Sequence, residues 1–242
     1  MSADSLLPHR WPGPPLFGVL VDRPNRFLAR CIVGGQTISA HVPDRGRCLD
    51  LLVPGQNVVV VAATGAASSG RTTAFTLLLA RAKTAPWPWV SVDPAGAPRL
   101  VAAAIDRGLL FPGTRVAGRE IGVRHHGAQS RIDLLFADGT LCEVKSVGAA
   151  RGGIALFPDA PTTRGVRHLA LLAARARRGL RGAIVFCAQR EDAIAVAPDS
   201  AIDPEFARAL DRAASAGVVV EAIACSADPH GMRLLGPIPV LR

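Results

Sequence analysis

The sequence contains no tyrosine, and aromatic residues make up only 5% of it. A surface that binds by stacking successive bases on aromatic rings therefore has little material to build with. Lysine is nearly absent as well: of 28 basic residues, only Lys83 and Lys145 are lysine. The five cysteines, Cys31, Cys48, Cys142, Cys187 and Cys225, are odd in number and widely spaced, with no Cys-x-x-Cys pair. That spacing argues against a disulfide framework or a thiolate metal site, and for buried, reduced thiols. No apolar run approaches the roughly eighteen residues a membrane helix needs. The polar, proline-rich segment 1–15 lacks the apolar centre of a signal peptide, so a cytoplasmic protein with no membrane partner is expected.

What is present is a compact, basic chain. At 242 residues, 49% hydrophobic and 19% charged, it can bury one large core or two smaller ones. Its formal charge of +9 favours a polyanionic partner, nucleic acid ahead of a membrane surface. No sequence feature specifies an oligomeric state. Strand-like runs at 16–21, 27–33, 37–42, 57–63 and 74–82, with a Gly34-Gly35 hairpin signal, predict a small five-stranded barrel of oligonucleotide-binding (OB) type over 1–85. Residues 66–70 read as a flexible loop within it. Pro86-Trp87-Pro88-Trp89 marks a rigid junction, since paired prolines fix φ. Beyond it, over 86–242, a helix at 97–108 precedes strands at 120–125, 131–136 and 140–147. There follow a helix at 163–178, strands at 183–187 and 194–197, a helix at 204–216 capped by Asp203, and a strand pair at 218–224 and 232–235. The fold class is therefore α/β in two domains, the second with a mixed central sheet. His125 and His126 fall on opposite strand faces and are read as structural.

The chemistry concentrates in the hairpin around Asp133, Glu143 and Lys145. Glu143 and Lys145 share a strand face about 7 Å apart. A two-residue Asp138-Gly139 turn would set Asp133 opposite Val144 and turn it away. A three-residue Ala137-Asp138-Gly139 loop, with Gly139 left-handed in a G1 bulge, pairs Phe136 with Thr140 and hence Asp133 with Glu143. Two facing carboxylates repel unless a cation lies between them, and Mg²⁺ or Mn²⁺ suits two carboxylates plus water and phosphate oxygens. Lys145, in a chain that otherwise uses arginine, then offers a compact amine for the attacking water or the phosphate charge.

This order of elements with Asp133…Glu143-x-Lys145 resembles the PD-(D/E)XK nuclease superfamily. Further segments resemble the sugar fermentation stimulation protein A (SfsA) family: Asn25-Arg26-Phe27-Leu28-Ala29, His41-Val42-Pro43 with Gly46-Arg47, Phe157-Pro158-Asp159-Ala160, Arg164-Gly165 with His168-Leu169, Gln189-Arg190 with Asp192, and Ile202-Asp203-Pro204. The resemblance runs from about residue 20 to residue 225. It implies an N-terminal OB barrel, a nuclease-like second domain, DNA rather than RNA as ligand with little sequence preference, and a link to sugar (maltose) metabolism. On it, Arg26, His41, Arg47, Arg164, Arg167, His168, Gln189 and Arg190 become candidate nucleic-acid contacts, and Asp133 and Glu143 candidate metal ligands aided by a carbonyl near Val144. Two departures stand out. Asp44-Arg45-Gly46-Arg47 replaces Asn-Thr-Gly-Arg, and Ala103 occupies the place of a helix glutamate that often helps hold metal, with Asp106 one turn further on as a substitute. Two readings stay open: metal-dependent phosphodiester hydrolysis, or a non-catalytic DNA-binding regulator with a degenerate site.

Overall fold

The computed structural model describes residues 9–63, 73–83, 85–125 and 127–242. The first residues of segment 1–15, the loop expected at 66–70 and His126 lie outside the described residues. After β1 (His9–Arg10), five strands close a barrel: β2 (Leu16–Asn25), β3 (Leu28–Val33), β4 (Gln36–His41), β5 (Asn57–Ala62) and β6 (Phe75–Arg81). Four antiparallel pairings run β4-β3-β2-β5-β6, and a parallel β4–β6 pairing closes the ring. Gly34 and Gly35, both at positive φ, make the expected two-residue turn between Val33 and Gln36.

β5 shows how the barrel joins the rest of the molecule. Its four valines are all buried, so it lacks the alternation of a half-exposed strand. Val58 and Val60 point into the barrel interior, while Val59 and Val61 join a second core with Leu100, Ile105, Val144 and Val185. The sheet is continuous too. β6 pairs with the short β7 (Trp89–Ser91), and β7 meets β15 (Val219–Asp228) at Ala227. The Pro86–Trp89 stretch thus leads directly into a strand shared by both halves.

Beyond the 3-10 turn Pro94–Gly96 lies α1 (Ala97–Asp106), followed by the strand run β8 (Val116–His125), β9 (Ala128–Phe136) and β10 (Leu141–Val147). β11 (Ala150–Arg151), β12 (Ile154–Phe157) and β14 (Ala195–Pro198) form a separate small sheet, with β12 and β14 parallel. β13 (Gly182–Ala188) is the central strand, parallel to both β10 and β15, and each of its residues is buried. α1 covers one face of this sheet; α2 (Thr163–Ala176) and α3 (Pro204–Ser215) cover the other. β16 (Gly231–Ile238) completes the edge beside β15 and β1. The main differences from the sequence reading are longer strands β2, β8 and β16 and the additional short strands β1, β7, β11 and β12. The short ones carry too few residues for a periodic pattern. All five cysteines are free and buried.

Candidate active site

The β9–β10 hairpin adopts the three-residue register. Gly139 has φ +84°, its N–H donates to Phe136 O at 3.0 Å, and Phe136 N–H donates to Thr140 O at 2.9 Å. Leu135 pairs with Leu141 and Leu134 with Cys142, so the next step along each strand sets Asp133 opposite Glu143. There the ladder ends. The Val144 N–H donates to Asp133 Oδ2 at 2.7 Å, so a side chain takes up a backbone donor at the point where the strands part.

The two carboxylates sit in unlike surroundings. Glu143 is buried, and its Oε1 lies 2.6 Å from Lys145 Nζ and abuts His168 Nδ1. Its Oε2 is buried without a hydrogen-bond partner among the described residues. Burial alone would raise the Glu143 carboxyl, but contact with His168 and the charge of Lys145 outweigh it and hold the group below the ordinary glutamate value. Asp133 moves the other way. Burial and then the negative charge of Glu143 push it up to about 7, against the opposing pull of the Val144 N–H and Lys145.

His168 reaches this point because of how α2 begins. The Thr162 side chain caps the helix by accepting from Gly165 N–H at 3.0 Å, and Thr162 N–H donates to Asp203 Oδ2 at 2.8 Å. Asp203, the expected cap of α3, uses its other oxygen for Phe206 N–H at 2.9 Å. One aspartate therefore ties the starts of both helices together and aims the first two turns of α2 at the carboxylates.

Asp133, Glu143 and Lys145 form the floor of a cleft of about 500 Å³ between the domains. The barrel supplies the facing wall with Arg26, the segment 43–46, Cys48, Asp50 and Leu51, and Arg164 stands at the side. Arg23 knits that wall, donating to the carbonyls of Arg26 at 2.8 Å, Gly46 at 3.0 Å, Asp44 and Arg47. Asp159, which follows β12, clasps it from the other domain by accepting from Cys48 N–H at 2.9 Å. A Cβ on residue 46 would come within 2.2 Å of the Asp159 carboxylate, so the close approach requires glycine there. A second recess of about 580 Å³ runs beside the first, lined by Glu120, Gly122, Gln129, Ser130, Arg131, Arg164, Arg167 and His168.

The structure therefore sorts the expected contacts. Arg26 and Arg164 line the cleft, and Arg164 and the exposed Arg167 line the second recess. His41, on β4 beside Leu28 and Thr76, and Arg47 line neither. His168 is a partner of Glu143 instead of a surface group facing phosphate, because the second turn of α2 points it under the sheet. Gln189 and Arg190 are buried and engaged: Gln189 Nε2 donates to Ser146 Oγ at 2.6 Å and Asp93 O at 3.1 Å, while Arg190 pairs with Asp192 at 2.6 Å and donates to Gly148 O at 2.7 Å. They brace the end of β10 instead of offering free donors at a sheet edge. Asp106 Oδ1 accepts from Val116 N–H at 3.0 Å and lines neither recess, so it does not stand in for the missing helix acid at Ala103. Trp89 carries the Arg81 guanidinium 4.4 Å from its ring centroid and lies near Phe17. Among the described residues no group of three or more His, Cys, Asp or Glu is arranged around one ion. The carboxylate set is therefore a pair.

Arg23 and Asp159 were not singled out by sequence reasoning. Asp159 lay within the quoted Phe157-Pro158-Asp159-Ala160 segment, and its function as a clasp needs the fold.

Comparison with known proteins agrees with the architecture. The family model described as the SfsA N-terminal OB domain matches residues 21–92, and the one described as the sugar fermentation stimulation protein RE domain matches residues 96–231. The chain belongs to the sugar fermentation stimulation (SfsA) family. Sugar fermentation stimulation protein homologs from Chloroflexus aurantiacus and Moorella thermoacetica are 42% and 41% identical to it. The first match covers 94% of this chain and 86% of the relative, the second 91% and 94%. A solved structure described as Pyrococcus furiosus SfsA in complex with Ca²⁺ superposes with a TM-score of 0.85 at 25% identity, covering 98% of this chain and all of that one. The floor of the cleft thus falls within the SfsA RE-domain match, and its Arg23-knitted wall within the SfsA OB match. Among the described residues, no helix is long and apolar enough to cross a membrane.

Proposed function

We propose that this SfsA-family protein binds nucleic acid, DNA in preference to RNA, and hydrolyses phosphodiester bonds with the help of Mg²⁺ or Mn²⁺. The observation that carries the reading is the Glu143 carboxylate: Oε1 contacts Lys145 and His168, while Oε2 is buried without a partner among the described residues, beside the Asp133 carboxylate, which burial and the Glu143 charge push up. A buried acceptor left unsatisfied is costly, and a hard cation is the partner that two facing carboxylates suit. Asp133 and Glu143 would hold the ion, and the relative from P. furiosus is described in complex with Ca²⁺, another hard divalent cation. When bound, such an ion supplies Lewis-acid polarisation of a phosphate oxygen and an acidified water. The chain's own groups do the rest. His168 orients Glu143, Lys145 is placed to hold the nucleophilic water or the developing phosphate charge, and Arg26 and Arg164 neutralise phosphates. The +9 charge and the resemblance of the Asp133…Glu143-x-Lys145 hairpin to PD-(D/E)XK nucleases point the same way.

A second reading is a DNA-binding regulator of sugar metabolism without turnover, and Ala103 is the residue that favours it, because a carboxylate pair without a helix acid holds metal more weakly. Incubating the protein with labelled DNA and RNA in Mg²⁺, Mn²⁺ or EDTA separates the two. Metal-dependent cleavage that Glu143→Ala abolishes supports hydrolysis. Salt-sensitive binding with no cleavage supports the regulator. Cleavage that persists in Glu143→Ala rejects the assigned site.

A further inference from the structure

The reading above leaves the form of the nucleic acid open, and the cleft constrains it. The carboxylate floor is roofed on one side by barrel segment 43–46 with Cys48, and the space between is about 500 Å³. That is the size of a pocket for about one drug-sized molecule, comparable with one or two nucleotides. The wall is not free to swing aside. Arg23 binds the carbonyls of that segment, Asp159 clasps it across the domains, and Gly46 touches the Asp159 carboxylate. The domains themselves share one continuous sheet through β7 and one apolar core containing Val59, Val61, Leu100 and Val185. Opening would have to break the β6–β7 and β7–β15 pairings and expose that core. A duplex brings two strands wherever it brings one phosphate, and its second strand would meet this wall. A single strand has backbone thin enough to enter. It also has an exit, since Arg164 lines both the cleft and the second recess, which continues past Arg167 along the start of α2. Arg26, Arg45, Lys145 and Arg164 in the cleft, and Arg131 and Arg167 in the recess, supply cations for the strand's phosphates among the acidic residues of the lining.

Resting on the nucleic-acid reading above, we infer that the substrate is single-stranded nucleic acid, threaded between the barrel wall and the carboxylate floor and leaving past Arg164, with duplex excluded by the Asp159 clasp.

Fluorescence anisotropy in Ca²⁺ measures binding apart from cleavage, using a fluorescein-labelled oligothymidylate against the same length of blunt hairpin duplex. The expected result is at least about tenfold tighter binding of the single strand. In Asp159→Ala, shown to be folded by its circular dichroism and melting transition, the gap narrows by about threefold or more because duplex binds better. Asp159→Asn, which removes the charge but keeps the shape, replaces it if Asp159→Ala does not fold. Equal or tighter duplex binding by the wild-type protein overturns the inference, and so does an unchanged gap in a folded Asp159 variant. Binding of a mononucleotide as tight as the oligonucleotide overturns the threading. Single-strand preference without cleavage in Mg²⁺ leaves the inference standing and rejects the hydrolytic reading; no binding to either probe rejects both.

Discussion

The two sides of the cleft handle charge in opposite ways. On the barrel side, the Arg23 Nη1 and Nη2 groups donate to carbonyls while its Nε is buried without a partner among the described residues, the Asp44 carboxylate accepts from Gly46 N–H at 2.7 Å though burial raises it above the ordinary aspartate range, and Cys48 N–H donates to Asp159 of the other domain. On the floor, Glu143 keeps one oxygen without a partner and Asp133 is held near neutral pH by burial and by its neighbour. Most of the wall's polar groups are tied to its own backbone, which keeps its shape, whereas the floor leaves a carboxylate oxygen that a ligand can satisfy. If that division is right, substitutions on the floor change chemistry more than stability, and substitutions on the wall do the reverse.

The largest effect tests the floor. Glu143→Gln keeps the shape and removes the charge that Lys145 and His168 surround. Cleavage should fall by at least about hundredfold, because the charge that would help hold the ion and its Lewis-acid chemistry is removed. Nucleic-acid binding in the absence of metal should hold or tighten, because one negative charge leaves the phosphate path. Loss of binding with intact cleavage would reverse the assignment of floor and wall.

His168 comes next. It is buried behind Glu143 and acts through it, so it is a positioning residue. His168→Ala should lower kcat by about 10–100-fold with little change in KM, as substitutions behind metal ligands do. His168→Gln, whose side-chain amide can donate to Glu143 Oε1, should recover part of the loss. A rise in KM with kcat unchanged would return His168 to a phosphate contact.

These residues also show what a sequence can convey. The hairpin register was legible because it depends on local chemistry: a glycine at the third loop position selects one turn, and strand alternation then decides which carboxylates face each other. The barrel was legible for the same reason, from short β-branched runs and a Gly-Gly turn. The second-domain helices α2 and α3 fall within a few residues of the bounds expected from sequence, α3 with the expected Asp203 cap, while the Thr162 cap of α2 needed the structure. What could not be read was the partner of a charged group. Arg190 and Gln189 look like free donors at the end of a strand, but the neighbouring Asp192, Gly148, Ser146 and Asp93 absorb them, and three of these four lie more than 40 residues away in sequence. His168 looks like a surface group at a helix start until the sheet beneath it is built. Arg23 carries no local signature, and Asp159, though it lies in the Phe157-Pro158-Asp159-Ala160 segment, gives no sign in sequence that it reaches Cys48 more than a hundred residues away.

The wall is tested by Gly46→Ala. The added Cβ would meet the Asp159 carboxylate at 2.2 Å, and Asp159 is held in place by Cys48 N–H. Overpacking of this kind costs about 1–3 kcal/mol. For a chain of this size the melting temperature should drop by roughly 2–4 °C per kcal/mol. The pH dependence of cleavage should stay as in the wild type, since the floor is untouched. An unchanged melting temperature would mean that Asp159 does not press on the segment as described.

The smallest effect sharpens the contrast between the two carboxylates. Asp133 holds its proton up to a pH of about 7 in the folded protein, whereas in the unfolded chain it loses it near the ordinary aspartate value of about 4. Between those limits the folded state binds more protons than the unfolded one, so stability declines as pH rises through the interval and levels off above it. Because the site is partly open and can relax, the decline should be on the order of 1–2 kcal/mol, smaller than the raised value alone suggests. Asp133→Asn should remove it, so that melting curves in EDTA at pH 5.5 and pH 8 differ less for the variant than for the wild type. A divalent cation competes with that proton. Added Ca²⁺ should therefore raise the wild-type melting temperature more at pH 8 than at pH 5.5, and should barely move Asp133→Asn. If Ca²⁺ stabilises both proteins equally at both pH values, the ion binds elsewhere, and the Asp133–Glu143 pair stands as a repulsive contact held together by the Val144 N–H and Lys145 alone.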